Sequence, residues 1–434
     1  MSPAVEAGIA IAVFVVAYGL IASEKVNRVT AALGGAGVLL ALRIVHIDDI
    51  FFSSDTGIAW DVIFLLLGMM IIVGILQRTG MFEYMAIWAA KRAKGKPYRV
   101  MALLALITAV ASAGLDNVTT VILLVPVTLF VCERLGVPPV PYLIVEALAS
   151  NIGGTATLVG DPPNIIAASV GDLSFNSFLI NLAPVVVFLL IVFIGLCRLL
   201  FRHAFQYDPE RAAQVMAMNE REAIRDRTLL IRGLAVLGAV IVAFMLHPVL
   251  HVEPAAVALL GAGVLILVSR VPTREYLEEV EWDSLAFFAG LFIMVGALVK
   301  VGVIGNLAEY LANATEGRLL LAVMIITPAS AVISGIVDNI PYTAAAAPVI
   351  EQLVSTAPNP GEAKVLWWAL LLGADLGGNL TAIGASANVV AVGLAKRHGY
   401  PIGFWEFAKY GAITVAVTVP LSMAYLYLRY FLLG

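Results

Sequence analysis

Apolar residues gather along the chain in twelve runs, near 4–22, 29–45, 60–78, 100–131, 141–170, 176–200, 229–248, 254–269, 282–300, 319–354, 363–395 and 404–432. Runs of this length suit helices that cross a hydrocarbon core of roughly 30 Å. Two of them, 100–131 and 319–354, are too long for one comfortable crossing. Each is interrupted in its middle, by Gly114-Leu115-Asp116-Asn117 and by Val337-Asp338-Asn339-Ile340-Pro341. A carboxylate at that depth predicts a re-entrant hairpin whose tip is wrapped in protein, because non-helical backbone facing lipid is prohibitively costly. The runs at 141–170 and 363–395 are cut by Gly/Pro/Asn-rich segments at 160–164 and 377–388, which predicts discontinuous spanning helices. The segments 82–97 and 303–315 read as amphipathic helices along the membrane surface.

The pattern occurs twice. Trp60, Asp61, Gly68 and Gly74 return 222 positions later as Trp282, Asp283, Gly290 and Gly296. At the same offset Ser112, Asp116, Asn117 and Pro126 return as Ser334, Asp338, Asn339 and Pro348. At an offset of 224, Gly153, Gly154, Thr157, Gly160 and Asn164 return as Gly377, Gly378, Thr381, Gly384 and Asn388. Each copy then holds five spanning helices, one discontinuous, plus a re-entrant hairpin. Five is odd, so the second copy is inverted relative to the first. The predicted fold is an all-α polytopic membrane protein of two inverted repeats, 1–200 and 229–434, joined by a cytoplasmic linker at 201–228.

Charge fixes the orientation. The segment 91–99 carries Lys91, Arg92, Lys94, Lys96 and Arg99, whereas its partner at 313–321 has only Arg318. Beyond the broken helices the bias reverses, with no Lys or Arg at 170–178 but Lys396 and Arg397 in the other copy. Along the whole path 21 Lys and Arg fall on one side and 5 on the other. The richer side is expected to be cytoplasmic, which places both termini outside a plasma (inner) membrane. Charged residues make up 13% of the chain, about half the share of a soluble protein, so a soluble class is excluded. No basic residue precedes the first apolar run, so a cleaved leader is not expected. Cys132 and Cys197 are far apart and read as packing residues, and no metal site or cofactor is expected.

The chemistry lies in the interruptions. Intramembrane carboxylates are rare and commonly functional, which marks Asp116, Asp161, Asp338 and Asp375. Around them stand Asn117, Thr119, Asn151, Thr155 and Asn164 in the first copy, and Asn339, Thr343, Asn379, Thr381 and Asn388 in the second. Asp116 and Asp338 also suit helix N-caps, a role compatible with binding. The copies differ where Asp161 aligns with Ala385 and Asn151 with Asp375. Such differences are what a coupled carrier needs if one site titrates while another holds cargo. The Trp-Asp pairs read as interfacial anchors, and Glu146, a turn into its run, is a further candidate for proton handling. No Walker motif or catalytic constellation is present, so an enzyme or direct ATP use is not indicated.

SAGLDNVTTVILLVPV, NIGGTATLVGDPPNIIAAS and GIVDNIPYTAAAAPVI resemble the arsenite/antimonite efflux permeases and the melanosomal P protein, within the superfamily of ion transporters that includes citrate and dicarboxylate carriers. The likeness covers nearly the whole chain. It implies a scaffold unit and a transport unit, an elevator movement, frequent homodimers and, for some arsenical permeases, a cytoplasmic ATPase subunit. Dicarboxylate carriers bear Ser-Asn-Thr at the hairpin tips, whereas this chain has Asp-Asn at both. A fixed carboxylate repels a polyanion over a short, partly dehydrated distance. The expected function is secondary export of arsenite or antimonite in exchange for protons, with Na⁺/H⁺ antiport as the alternative. The expected partners are the bilayer, the inorganic solute and protons, and no nucleic acid.

Overall fold

A computed structural model describes residues 2–22, 26–53, 56–315 and 317–433. Helices of ten residues or more fall into two parallel series. The first is α1 (Pro3–Ala22), α2 (Arg28–Ala41), α3 (Trp60–Gln77), α4 (Met81–Arg92), α5 (Pro97–Gly114), α6 (Asn117–Leu135), α7 (Pro139–Gly154), α8 (Pro162–Gly171) and α9 (Ala183–Leu200). The second is α10 (Arg227–Met245), α11 (Pro254–Ser269), α12 (Trp282–Lys300), α13 (Val303–Ala314), α14 (Leu319–Val337), α15 (Asn339–Ser355), α16 (Val365–Gly377), α17 (Ser386–Arg397) and α18 (Phe404–Tyr427). The hairpins are α5–α6 and α14–α15, and the broken helices are α7–α8 and α16–α17. Among the described residues nine helices are long and apolar enough to cross a membrane, and α2 and α11 are shorter apolar helices.

Two ion pairs define the relation between the series. Arg78, just after α3, pairs with Glu275, just before α12. Lys300, the last residue of α12, pairs at 2.6 Å with Asp49, which precedes α3. Arg78 and Lys300 are equivalent at an offset of 222, and Asp49 and Glu275 at 226. Helices α3 and α12 therefore run antiparallel, as repeats of opposite direction require. The hydrogen bond from Lys300 and the backbone amide of His46 hold the Asp49 carboxyl below its ordinary range. These two pairs name the ends of the molecule, the Arg78 end and the Lys300 end.

The series interleave. In one unit, α2 packs on α12 and α11 on α3, with α1 and α10 outside them. A Cβ on Gly290 would lie 2.8 Å from the Ala32 backbone carbon, and one on Gly68 would lie 2.7 Å from that of Ala258. The crossings are thus built alike on small residues that let backbones approach. In the other unit, α5 packs on α7 and α14 on α16, and the two broken helices meet the opposite hairpins through α8–α15 and α17–α6 contacts. Helices α9 and α18 brace this second unit.

Three details depart from the sequence reading. Helix α2 ends at Ala41, where Arg43 takes a positive φ of 59° and Ile44 and Val45 turn back into the core. The run at 176–200 splits into Phe175–Asn181 and α9, because Pro184 cannot donate within a continuous helix. The segment between α9 and α10 is not bare linker. It contains a helix at Pro209–Ala217, and Lys91 clamps its far end through the Met218 carbonyl at 2.8 Å and Glu220.

Candidate functional site

Each hairpin tip is fastened to the break of its own series by the same contacts. Ser112 donates to the Ser150 carbonyl at 2.8 Å, and Ser334 donates to the Ala374 carbonyl at 2.5 Å. Thr157 and Thr381 donate to the carbonyls of Ala113 and Gly335. Asn164 holds the unwound turn by donating to the Gly154 and Thr157 carbonyls, at 3.1 and 2.8 Å. Asn388 does the same to Gly378 and Thr381, at 2.8 and 2.9 Å. Freed carbonyls at a helix break need such donors when no water is at hand. Thr381 and the amide nitrogens of Asn164 and Asn388 are therefore occupied in shaping the breaks.

The tip carboxylates cap helices. Asp116 accepts from the Thr119 amide at 2.9 Å and from the Thr119 hydroxyl, which accounts for Thr119. Asp338 accepts from the Ile340 amide at 3.0 Å and from the Ser386 hydroxyl at 3.1 Å, on a backbone with φ of 96°. That φ is rare for a residue with a side chain and is held by the surrounding contacts.

Between the tips the symmetry ends. Asn117 donates at 2.8 Å to Asp161 and at 3.2 Å to Asn151, while Asn339 donates at 3.3 Å to both oxygens of Asp161. Both hairpins thus converge on a carboxylate that only the first break possesses. Asn151 in turn donates to Asn379 at 2.9 Å and Asn388 at 3.0 Å. All of these side chains are buried, and Asp116, Asp338 and Asp375 act electrostatically on Asp161. Several of their atoms have no partner among the described residues: both oxygens of Asp375, the carbonyl oxygens of Asn117, Asn164 and Asn339, the Thr343 hydroxyl and the Asn379 amide nitrogen. Thr155 spends its hydroxyl on the Asn151 carbonyl at 2.8 Å, beside Asp375. Unsatisfied buried groups of this kind mark a place where a ligand or proton completes the bonding.

Glu146 lies one helical stretch nearer the Arg78 end, fully buried, with one oxygen accepting from Thr128 and the other without a partner among the described residues. It does not join the central cluster. Two cavities flank the units. One of about 850 Å³ lies toward the Lys300 end between α8 and α15 on one side and α12 on the other, with Ser169, Glu351 and Gln352 in its wall. The other, about 350 Å³, lies toward the Arg78 end and is walled by Arg28, Asp338 and Ser386 among apolar residues. Arg28 and its neighbours Ser284 and Glu281 are absent from the sequence-derived site. They flank apolar runs, where charges are ordinary, and nothing in the pattern distinguishes them.

Inverted hairpin-bearing repeats around a buried polar centre define a membrane transporter of the discontinuous-helix type. The chain belongs to the citrate transporter family, whose sequence profile matches residues 18–373. An uncharacterized transporter of Mycobacterium tuberculosis is 56% identical over 425 residues, covering 98% of this chain and 99% of that protein. The P protein of Sus scrofa is 33% identical over 514 residues, covering 99% of this chain and 60% of that protein. Among solved structures, the YdaH transporter of Alcanivorax borkumensis aligns at a TM-score of 0.60 with 16% identity, over 95% of this chain and 97% of that one. MtrF of Neisseria gonorrhoeae, described with a class of antimetabolite efflux pumps, aligns at 0.60 with 14% identity, over 95% and 96%. These two likenesses concern the fold.

Proposed function

We propose that the protein is a proton-coupled secondary transporter of a small uncharged hydroxylated solute, with arsenite and antimonite as the cargo, exported across the plasma membrane. The observation that carries this is the bonding of Asp161 by Asn117 and Asn339 from opposite hairpins, beside the unpartnered Asp375. Among the described residues no Lys or Arg hydrogen-bonds within that cluster. Citrate gives the family its name, but a polyanion entering here would meet the Asp161 and Asp375 carboxylates, and the Arg28 guanidinium on the Asp338 side is engaged by Ser386 and Ser284. Undissociated arsenite, As(OH)₃, presents three hydroxyls that both donate and accept. The free amide and carboxylate oxygens meet its donors, and Asn379 meets an acceptor. One carboxyl exchanges a proton as cargo leaves. The Lys/Arg bias supports a reading with the Arg78 end in the cytoplasm and the Lys300 end outside.

A second reading, Na⁺/H⁺ antiport, is favoured by the excess of free oxygen acceptors over free donors, since hard cations take oxygen ligands. Everted membrane vesicles separate the two. Accumulation of As(III) driven by a pH gradient, with no Na⁺ requirement, supports the first. A Na⁺-induced pH change without As(III) uptake overturns it in favour of the second.

A further inference from the structure

At the Arg78 end a polar chain through one guanidinium ties the two units together. Arg28, the first residue of α2, donates at 2.7 Å to the Ser386 hydroxyl at the start of α17. Ser386 donates onward to Asp338 at the second hairpin tip. The other arm of the guanidinium donates at 3.1 Å to Ser284 in α12, whose hydroxyl donates at 2.9 Å to Glu281. Arg28 is therefore held by the α2–α12 unit and holds the hairpin unit. Nearby, Tyr18 of α1 donates to the Pro341 carbonyl at the same tip. The repeats offer no second copy. The first residue of α11 is Pro254 where α2 has Arg28, and Ser386 aligns with Pro162. Neither proline has a side-chain polar group to rebuild the link. The asymmetry goes with the cavities, about 350 Å³ at the Arg28 end and about 850 Å³ at the Lys300 end.

We infer that Arg28 is a positioning residue of the transport cycle, a scaffold clasp that holds the second hairpin tip through Ser386 and must release it before the hairpin unit can move toward the Arg78 end. A planar guanidinium presents a fixed fork of donors, so it can bridge two hydroxyls on separate elements at once. Because Ser386 lies between Arg28 and Asp338, whatever occupies the Asp338 carboxylate changes the acceptor that completes the chain. The inference rests on reading Asp338 as part of the transport site, but not on the identity of the cargo.

The test reads conformation without cargo. Single cysteines at Ser355, in the large cavity, and Val389, in the small one, are labelled with a membrane-impermeant maleimide from each side of intact and everted vesicles, the native Cys132 and Cys197 being buried. Arg28→Gln should lower labelling of Ser355→Cys from the Lys300 side and raise that of Val389→Cys from the Arg78 side. A change of roughly tenfold in the ratio is expected from loss of charge-assisted hydrogen bonds. Arg28→Lys should fall between. Ser386→Ala, which leaves the scaffold untouched, should act in the same direction and carries the test if Arg28→Gln fails to insert. Unchanged labelling in both Arg28→Gln and Ser386→Ala overturns the clasp. A failed As(III) or Na⁺ assay with shifted labelling overturns the cargo reading and leaves the clasp standing.

Discussion

The Asn339 amide lies 3.3 Å from both carboxylate oxygens of Asp161, although 178 residues separate them. That contact joins the second hairpin to the first broken helix, across the axis that relates the repeats. Asn117 reaches the same carboxylate from the first hairpin at 2.8 Å. One acid thus reports on both hairpins, and its repeat equivalent, Ala385, offers neither hairpin an acceptor.

Asp161→Asn should therefore disable transport without preventing insertion. The substitution replaces one of the two oxygens that the amide donors approach with an NH2 donor and costs a hydrogen bond, roughly 0.5–1.5 kcal/mol. Initial rates in whichever vesicle assay the wild type supports should fall by at least roughly tenfold at matched protein level. Retention of more than half the wild-type rate would remove Asp161 from the site.

The packing of hairpin on break makes a separate prediction about stability. A Cβ on Gly153 would come within 2.2 Å of the Ala109 carbonyl oxygen, and one on Gly377 within 2.4 Å of the Ala331 Cα. Gly153→Ala and Gly377→Ala should each destabilise the protein by roughly 1–3 kcal/mol through overpacking. Gly114→Ala, at a hairpin tip with open space beside it, should be tolerated. Thermal melts of detergent-solubilised protein compare the three.

These residues show what could be read in advance. The hairpins, the breaks and the two orders of α3 and α12 were legible because each interrupts or repeats a long apolar run, and lipid leaves backbone few alternatives. The central residues were legible as a class, since Asp and Asn inside such runs demand partners. Their separate duties were not. Asn164 and Asn388 look like binding residues in the pattern but spend their amide nitrogens on carbonyls of their own breaks. Arg28 looks like an ordinary flanking charge, yet it reaches Ser386, 358 residues away. Side-chain duty depends on which distant element arrives, and periodicity carries no record of that.

Glu281 gives the stability a pH dependence. Burial above all, then the charge of Asp116, raises its carboxyl from an ordinary 4.5 to about 7. A raised acid binds its proton more tightly in the folded state, so stability is greatest below about pH 4.5 and declines as pH rises toward 7. The contribution is roughly 3 kcal/mol at most. Thermal melts between pH 5 and 8 should show this decline in the wild type, and Glu281→Gln should flatten it while keeping an acceptor for Ser284. An equal slope in both proteins would assign the decline to other groups.

Asp375 and Asp161 should separate when stability and transport are measured together. Asp375 is fully buried and neither of its oxygens has a partner among the described residues, whereas Asp161 accepts from two asparagines. Removing an acid whose neighbour Thr155 donates its hydroxyl to the Asn151 carbonyl loses little bonding and relieves the cost of burying the acid, so Asp375→Asn should leave the melting temperature unchanged or raise it. Asp161→Asn should lower it. If Asp375 carries the exchanged proton, Asp375→Asn also abolishes pH-driven transport, giving a stable protein that no longer couples. A stable Asp375→Asn variant that still transports against a pH gradient would place proton exchange on another carboxylate, with Asp161 the first to examine.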